Sequence, residues 1–256
     1  MAAEAVAAET VRLSDTAIGR RDRLLPVADE LAPLLTQPGL VRGSVLAAQG
    51  PGALTLATAF AAEVSRTGGW VTAVGLGRMG ISAAAERGAS LDRWAFVDKP
   101  GDAAAEVLNA LIGNVDVVLL AGSVRLAAAH SRRLRARLRE RGTVVIEIAA
   151  SGAFSPDVTL TVERAVWTGL EQGHGRLRER RAEVVAVGRG AASLPRRAVL
   201  WLPDATGRIM TVRNAVTPIG TDQPADLADA SRTDAPRTDA DAVVTDVVVP
   251  LLSRAG

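Results

Sequence analysis

Hydrophobic positions in the first 150 residues follow two patterns that alternate along the chain. Short apolar runs alternate with longer stretches whose apolar residues recur every three to four positions, as on one face of a helix. Strands and helices that alternate in this way predict a parallel, doubly wound sheet. The predicted strands are residues 43–48, 70–75, 93–98, 115–122 and 143–149, and the predicted helices are 53–69, 78–89, 102–113 and 126–142.

After residue 150 the apolar positions alternate with polar ones, which is the period of strands with one buried face. The pattern predicts antiparallel strands added to one edge of the sheet, so the fold class is α/β with a mostly parallel sheet. The predicted strands here are 158–164, 181–188, 197–203 and 208–213. Two local features complete this prediction: an amphipathic helix over residues 24–35, and Asp102 as the N-cap of the helix that it begins.

The C-terminal part of the chain has a different pattern. Residues 217–242 are poor in apolar side chains and rich in Asp, Ala, Thr and Pro, which predicts a disordered tail. This tail ends in the apolar stretch "VVTDVVVPLL" (243–252), which predicts a segment that a partner captures. Its candidate contact residues are Val243, Val244, Val247, Val248, Val249, Leu251 and Leu252. The expected organisation is an N-terminal arm (1–36), a core (37–214) and a flexible acidic tail (215–256).

Composition limits the chemistry that the chain can perform. It contains no cysteine, so disulfides and thiolate metal sites are excluded, and its two histidines, His130 and His174, give little support to a metal centre. The formal net charge is +2, and from Val216 onward seven Asp face three Arg, so that part carries −4 and the rest +6. An acidic, alanine-rich start and the lack of a long apolar run predict a cytoplasmic protein without a membrane span.

The segment "VGLGRMG" raises the question of a dinucleotide site. Gly75, Gly77 and Gly80 match the G-x-G-x-x-G fingerprint between a predicted strand and helix, and Asp98 follows near the spacing of a ribose-binding acid. Two observations argue against the interpretation of the chain as an NAD-dependent dehydrogenase. The glycine pattern does not follow the first predicted strand, and no catalytic Lys or His is placed for hydride transfer. The alternative is that these glycines serve only to turn the chain.

The first predicted strand leads into a segment with the shape of a phosphate loop but without its charge. In G-x-x-x-x-G-K-[ST] the lysine binds phosphate oxygens and the hydroxyl binds magnesium. In "AAQGPGALTL" (47–56) the loop glycines are represented by Gly50 and Gly52. The other motif positions hold Ala47, Ala53 and Leu54, and the buried strand that should end in Asp ends in Ala121. The sequence therefore predicts a protein that is not an ATPase and takes no cofactor.

Two groups of arginines are candidates for contact with nucleic acid. The helix that contains "HSRRLRARLRERG" places Leu134 and Leu138 toward the sheet, so its arginines form either a solvated face or a phosphate-binding face. These residues are Arg132, Arg133, Arg135, Arg137, Arg139 and Arg141, and a second group comprises Arg176, Arg178, Arg180 and Arg181. Trp167 and Trp201 are predicted to be core residues, and His174 a turn residue.

The serial order of several segments resembles bacterial RecA over roughly residues 40 to 210. These segments are "GGWVTAVG", "AAERGASLDRWAFVDKP", "EVLNALIGNVDVVLLAGSVRLA", "VVIEIAASGAFSPDVTLTVER" and the strand pair around "RAEVVAVGRGAA". The resemblance implies a RecA-like core in which "GLGRMG" replaces the segment of the catalytic glutamate. It further implies that the DNA-binding loops are shortened to 121–126 and 150–156, and that Ala149 or Ala150 replaces the nucleotide-sensing glutamine.

Together with "WTGLEQGHGRLRERRAEVVAVGRG" (167–190) and the tail, this core resembles the ImuA-type proteins of actinobacteria. That resemblance implies an accessory subunit of DNA-damage-induced mutagenesis, located at the nucleoid after damage. The implied partners are a Y-family polymerase homologue of the ImuB type and, through it, an error-prone DnaE-type polymerase and the sliding clamp. Two alternatives stay open: a weak nucleotide-binding regulator, and a division inhibitor of the SOS response with a degenerate RecA-like core.

Overall fold

A computed structural model describes residues 23–77, 79–149, 152–171 and 174–212. The predicted tail contacts from Val243 to Leu252 and most of the predicted N-terminal arm lie outside these residues. The predicted boundaries of arm, core and tail stay predictions. None of the helices in the described ranges has the length and apolar character that a membrane span requires.

Eleven strands are present in the described part of the chain, and nine of them form one sheet. Along the sheet the order is β11-β10-β9-β8-β3-β7-β6-β4-β5, while β1 and β2 form a separate antiparallel pair. The strands are β1 (Leu24–Leu25), β2 (Leu40–Val41), β3 (Val45–Gln49), β4 (Val71–Val74), β5 (Trp94–Val97), β6 (Val117–Ala121), β7 (Val144–Ile148), β8 (Val158–Glu171), β9 (His174–Gly188), β10 (Arg196–Trp201) and β11 (Met210–Thr211).

Four α-helices connect these strands in the described residues: α1 (Ala53–Arg66), α2 (Ile81–Glu86), α3 (Ala104–Leu111) and α4 (Ala128–Arg141). Short 3-10 turns occupy Ala32–Leu34, Leu91–Arg93, Gly101–Ala103 and Gly190–Ala192. The predicted alternation is therefore confirmed.

Parallel pairing runs from β5 through β4, β6, β7 and β3 to β8, and β9, β10 and β11 continue the sheet as antiparallel strands. The predicted α/β class with antiparallel strands at one edge is thus confirmed. β8 and β9 are longer than predicted because they pair with each other beyond their other neighbours. β3 pairs with β8 only as far as Thr161, and β10 pairs with β9 only from Arg181 onward.

Helices cover both faces of the sheet. Leu56 and Phe60 of α1 are fully buried in one core cluster, together with Ile146 of β7 and Leu160 of β8. On the opposite face, side chains of α3 and α4 pack against the alternate residues of β6 and β7, with Leu108 and Leu138 fully buried. Because both faces are covered, the central parallel strands consist almost entirely of apolar residues.

Two local predictions are wrong. Residues 24–35 do not form an amphipathic helix: they form β1 and, at Ala32–Leu34, a 3-10 turn with a proline in its first positions. Pro26 and Pro33 explain the difference, since proline lacks the N–H that a continuous helix needs and clashes with the preceding turn. Asp102 lies in the 3-10 turn Gly101–Ala103, and the N-cap of α3 is Ala103.

Candidate functional site at the glycine loop

The segment between β3 and α1 is a tight loop that only glycine can form at two positions. Gly50 has φ +84° and Gly52 has φ +97°, both in the left-handed region. A Cβ at Gly50 would overlap the carbonyl oxygen of Val162 in β8 and lie 3.2 Å from its carbonyl carbon. The loop closes with a hydrogen bond from the Ala53 amide to the Gly50 carbonyl oxygen, 3.1 Å.

Apolar residues occupy the positions at which a phosphate loop has charged or polar side chains, and the structure shows these residues buried or half-buried. Ala47 in β3 and Ala53 at the start of α1 are buried, and Leu54 is half-buried against the same core. Ala121 is the buried last residue of β6, which is separated from β3 by β7. The structure thus places Ala47, Gly50, Gly52, Ala53 and Leu54 on one continuous segment that runs from β3 through the loop into α1, with Ala121 two strands away.

Arg180 is the residue at this loop that sequence reasoning missed, because it was grouped with exposed arginines. Its residue surface is only 7% exposed, and its Nε donates a hydrogen bond to the Leu202 carbonyl oxygen, 2.7 Å. The guanidinium lies over the Trp167 ring, 5.1 Å from the centroid. A Cβ at Gly52 would overlap Nη2 of Arg180 and lie 2.6 Å from its Cζ, so the guanidinium rests directly on the loop.

The alternation of side chains between the two faces of β9 is the sequence signal that could have shown Arg180 to be buried. Ala182, Val184 and Ala186 are all buried in the cluster that includes α1. Because side chains alternate between the two faces of a strand, Arg180 lies on the same face as these residues. Arg176 and Arg178, farther along β9, are exposed, and Trp167 is half-buried rather than fully within the core.

The electrostatic environment of Arg180 is unfavourable for its charge. Burial lowers the pKa of Arg180, and the nearby positive charge of Arg87, which follows the last residue of α2, lowers this pKa further. Burial also lowers the pKa of Arg87. A desolvated guanidinium, that of Arg180, therefore lies near the N-terminus of α1, where the helix dipole is itself positive.

Close packing explains two of the three glycines of "VGLGRMG", Gly75 and Gly77, whereas a Cβ at Gly80 would make only an ordinary contact with Ala83 at 3.7 Å. Gly75 has φ +76°, and a Cβ there would lie 2.9 Å from Val124 and 3.0 Å from Ala121, at the end of β6. A Cβ at Gly77 would lie 3.3 Å from the side chain of Asp98. Gly75 and Asp98 line an open cleft of about 540 Å³ that also includes Lys99 and His130.

The arginines of α4 are divided by the structure into two kinds. Arg132, Arg133, Arg139 and Arg141 are exposed, whereas Arg137 is half-buried. Arg135 donates both to Oδ1 and to Oδ2 of Asp157, and its side chain is only 15% exposed. Leu134 and Leu138 are buried. At least Arg135 is therefore engaged in holding α4 against the start of β8.

Removing the carboxylate of Asp157 is expected to destabilise the protein. Asp157 accepts the Val45 amide at 2.8 Å as well as Arg135, so Asp157→Ala leaves a mostly buried guanidinium and a strand amide without their acceptor. We expect a loss of about 2 kcal/mol in the free energy of unfolding, measured in urea, since the pair is only partly buried. The matched control is Glu163→Ala, which breaks the exposed pair with Arg197 and should cost less than about 1 kcal/mol. Equal losses in the two variants would contradict this role.

Comparison with known proteins places the fold in a recognised class. The structure of the RadB recombinase matches 72% of this chain and 97% of that chain with a TM-score of 0.51 and 15% sequence identity. At that identity the likeness establishes the fold alone, and the chain accordingly has a RecA-like α/β fold.

Sequence comparison gives two similarities that are more specific than the likeness of fold. Residues 33–152 match the family model described as the MT3502 N-terminal domain. A 96-residue stretch is 36% identical to the uncharacterized protein Rv3395c of Mycobacterium tuberculosis, covering 37% of this chain and 47% of that protein. The chain thus spans about half the length of this relative.

Proposed function

We propose that this chain is a non-catalytic, RecA-like accessory subunit of DNA-damage-induced mutagenesis that acts through protein contacts in translesion synthesis. The observation that carries the proposal is the state of the glycine loop. Its lysine and hydroxyl positions are Ala53 and Leu54, and an arginine from another strand rests on Gly52. A RecA-like protein that lacks the lysine and the hydroxyl of the phosphate loop can still act by binding other proteins through its surface or its tail.

Hydrolysis of ATP requires groups that the loop does not offer. Phosphoryl transfer depends on a lysine at the phosphates, a hydroxyl and an acid at the magnesium ion, and a residue that orients water. The corresponding positions hold Ala53, Leu54 and Ala121, and the segment after β4 is rich in glycine. The proposal therefore assigns no catalytic residue to this site.

Pure full-length chain is expected to show no magnesium-dependent ATP hydrolysis above a buffer blank in a steady-state phosphate-release assay. The reason is that neither a metal ligand nor a phosphate-binding lysine lies in the loop. The variant Leu54→Glu serves as the control, because it places a negative charge that repels phosphate in the first turn of the helix, at a half-buried position with ordinary helical backbone. ATP hydrolysis that copurifies with the wild-type chain and is lost in Leu54→Glu would contradict the proposal.

The proposed partner is a Y-family polymerase homologue of the ImuB type, which would connect the chain to an error-prone DnaE-type polymerase and the sliding clamp. Support comes from the ImuA-type resemblance and from the apolar segment at 243–252. Its β-branched run "VVTDVVV" favours addition as a strand, and Pro250 would end that strand. Capture of the homologue from the same genome by the immobilised full chain tests this contact.

Further expectations concern DNA, the location of the protein and the genes beside its own. Direct contact with DNA would use the exposed arginines of α4, Arg132, Arg133, Arg139 and Arg141, and would be sensitive to salt. A cytoplasmic location, at the nucleoid after damage, follows from the proposed partners. If the protein is instead a division inhibitor, no gene for a polymerase homologue is expected beside its own gene.

A further inference from the structure

A cavity of about 350 Å³ lies at the amino ends of β3 and β8, where Ser44, Leu46 and Val158 contribute to its lining. The glycine loop follows β3 after Gln49, so it lies at the opposite end of the same strand. Open α/β sheets usually bind their ligands outside the carboxyl ends of the strands. A ligand in this cavity would therefore occupy a different place from the one that the fold class uses for nucleotides.

Apolar side chains form one part of the cavity lining. Leu40 and Leu46 are buried in the core, and Val158 is half-buried beside them. Val41 and Ala191 also line the cavity but are exposed. An apolar ligand would remove this surface from water, which is favourable. The volume is within the range of about 300–1,000 Å³ that is typical of small-molecule sites.

Arginines form the other part of the lining. They are Arg42, Arg135, Arg139 and Arg189. Two of them have acidic partners: Arg42 lies 2.9 Å from Asp116, and Arg135 binds Asp157. Neither Arg139 nor Arg189 forms an ion pair with an acidic side chain in the described ranges, although Arg189 donates to the hydroxyl of Ser155. The cavity thus presents two guanidinium groups whose charge is not neutralised by an acid of the described residues.

Two polar atoms of the lining are buried without a hydrogen-bond partner among the described residues. They are Oγ of Ser44 and Nη1 of Arg135. Buried polar groups are paired in most proteins, because an unmade hydrogen bond is costly once water has been removed. Both atoms can donate, so each would be satisfied by an acceptor oxygen. The missing acceptor and the excess of positive charge indicate the same kind of occupant, an anion.

We propose that this cavity binds a small organic anion with an apolar body, for example a medium-chain carboxylate. Guanidinium groups bind carboxylate oxygens through paired N–H donors, so Arg139 and Arg189 would hold the charged head. The apolar lining would take the hydrocarbon body. Inorganic anions lack this body, and the phosphates of a polynucleotide carry no hydrocarbon that would fill the lining. The site is independent of the proposed contact with a polymerase homologue.

Calorimetric titration of the full chain with hexanoate tests the site. The wild type is expected to bind hexanoate saturably at millimolar concentration, and to bind acetate and hexan-1-ol much more weakly, because one lacks the apolar body and the other lacks the charge. Arg139→Gln and Arg189→Gln should each weaken hexanoate binding roughly tenfold, since each removes a charge-assisted hydrogen bond. The matched control is Arg164→Gln, which removes the same charge from an exposed position of β8 outside the cavity and should leave the affinity nearly unchanged.

The position of the ligand is tested by protection of an introduced thiol. Because the chain contains no cysteine, Ala191→Cys and Leu194→Cys each introduce a single thiol. Both positions are exposed, so neither substitution disturbs the core, but only Ala191 lines the cavity. Hexanoate should slow the alkylation of Ala191→Cys by iodoacetamide and leave that of Leu194→Cys unchanged.

Four results would overturn the proposal. They are the absence of saturable hexanoate binding by the wild type, equal binding of acetate or hexan-1-ol, an affinity unchanged in both Arg139→Gln and Arg189→Gln, and equal alkylation of Ala191→Cys with and without hexanoate. Protection of Ala191→Cys by an oligonucleotide but not by hexanoate would assign these arginines to nucleic acid and would also overturn it. Failure of hexanoate binding with intact capture of the polymerase homologue would reject this site alone.

Discussion

A chain that lacks residues 240–256 is expected to lose binding to the Y-family polymerase homologue, while the melting temperature of the remaining protein changes little. The physical reason is that the apolar candidates between Val243 and Leu252 follow a stretch that is too polar to bury them. Binding is measured by pull-down with purified homologue, and stability by thermal unfolding monitored by circular dichroism.

Two controls separate the apolar segment from the length and charge of the tail. Replacing residues 229–239 by Gly and Ser keeps the length and should preserve binding, because this stretch contributes only a tether. Val247→Asp combined with Val248→Asp keeps the length as well but should abolish binding. If the truncated chain unfolds, the segment is structural, and the proposed capture mechanism is wrong.

Gly50→Ala is expected to be among the most destabilising single substitutions in the chain. An alanine at φ +84° costs about 1–2 kcal/mol in backbone strain, and its Cβ would also overlap the backbone of Val162, for a total of about 3 kcal/mol or more. The loop cannot move away easily, because Val162 belongs to a buried strand pair. Chemical unfolding in urea measures the loss.

Gly68→Ala is the matched control for this substitution. Gly68 has a similar φ of +95°, but a Cβ there would meet nothing within 4 Å. It should therefore cost only the conformational strain, about 1–2 kcal/mol. If both variants lose the same free energy of unfolding, the loop is not packed against β8 as described.

Most of the fold could be predicted from the sequence because its central strands are buried on both faces. Strands such as β6 and β7 read as continuous apolar runs, and helices such as α3 keep a clear helical period, with Ala104, Leu108 and Ile112 buried. The prediction failed where local chemistry competed with the period. At residues 24–35 two prolines interrupt an otherwise helical pattern, and at Asp102 a 3-10 turn precedes the helix.

Only part of the candidate site could be predicted from the sequence. The missing charges at Ala53, Leu54 and Ala121 follow from alignment with a motif. Arg180 and Arg135, in contrast, belong to arginine-rich runs whose usual position is at the surface. The structure shows Arg180 buried on the loop and Arg135 paired with Asp157, so residue type alone gave the wrong environment for both.

By itself, the sequence determined the class of fold, the order of strands and helices from residue 43 onward, and the absence of phosphate-site side chains from the loop. These follow from local periodicity and from residue identity, which do not depend on distant contacts. Only the tertiary structure decided that Arg180 rests on Gly52. That contact requires β8 to pair with β3, as in Leu46 with Val158, and β9 to pair with β8. β9 follows β8 directly, but β3 lies far from β8 in the chain, so the pairing of those two strands depends on the packing of the whole sheet and not on a local pattern.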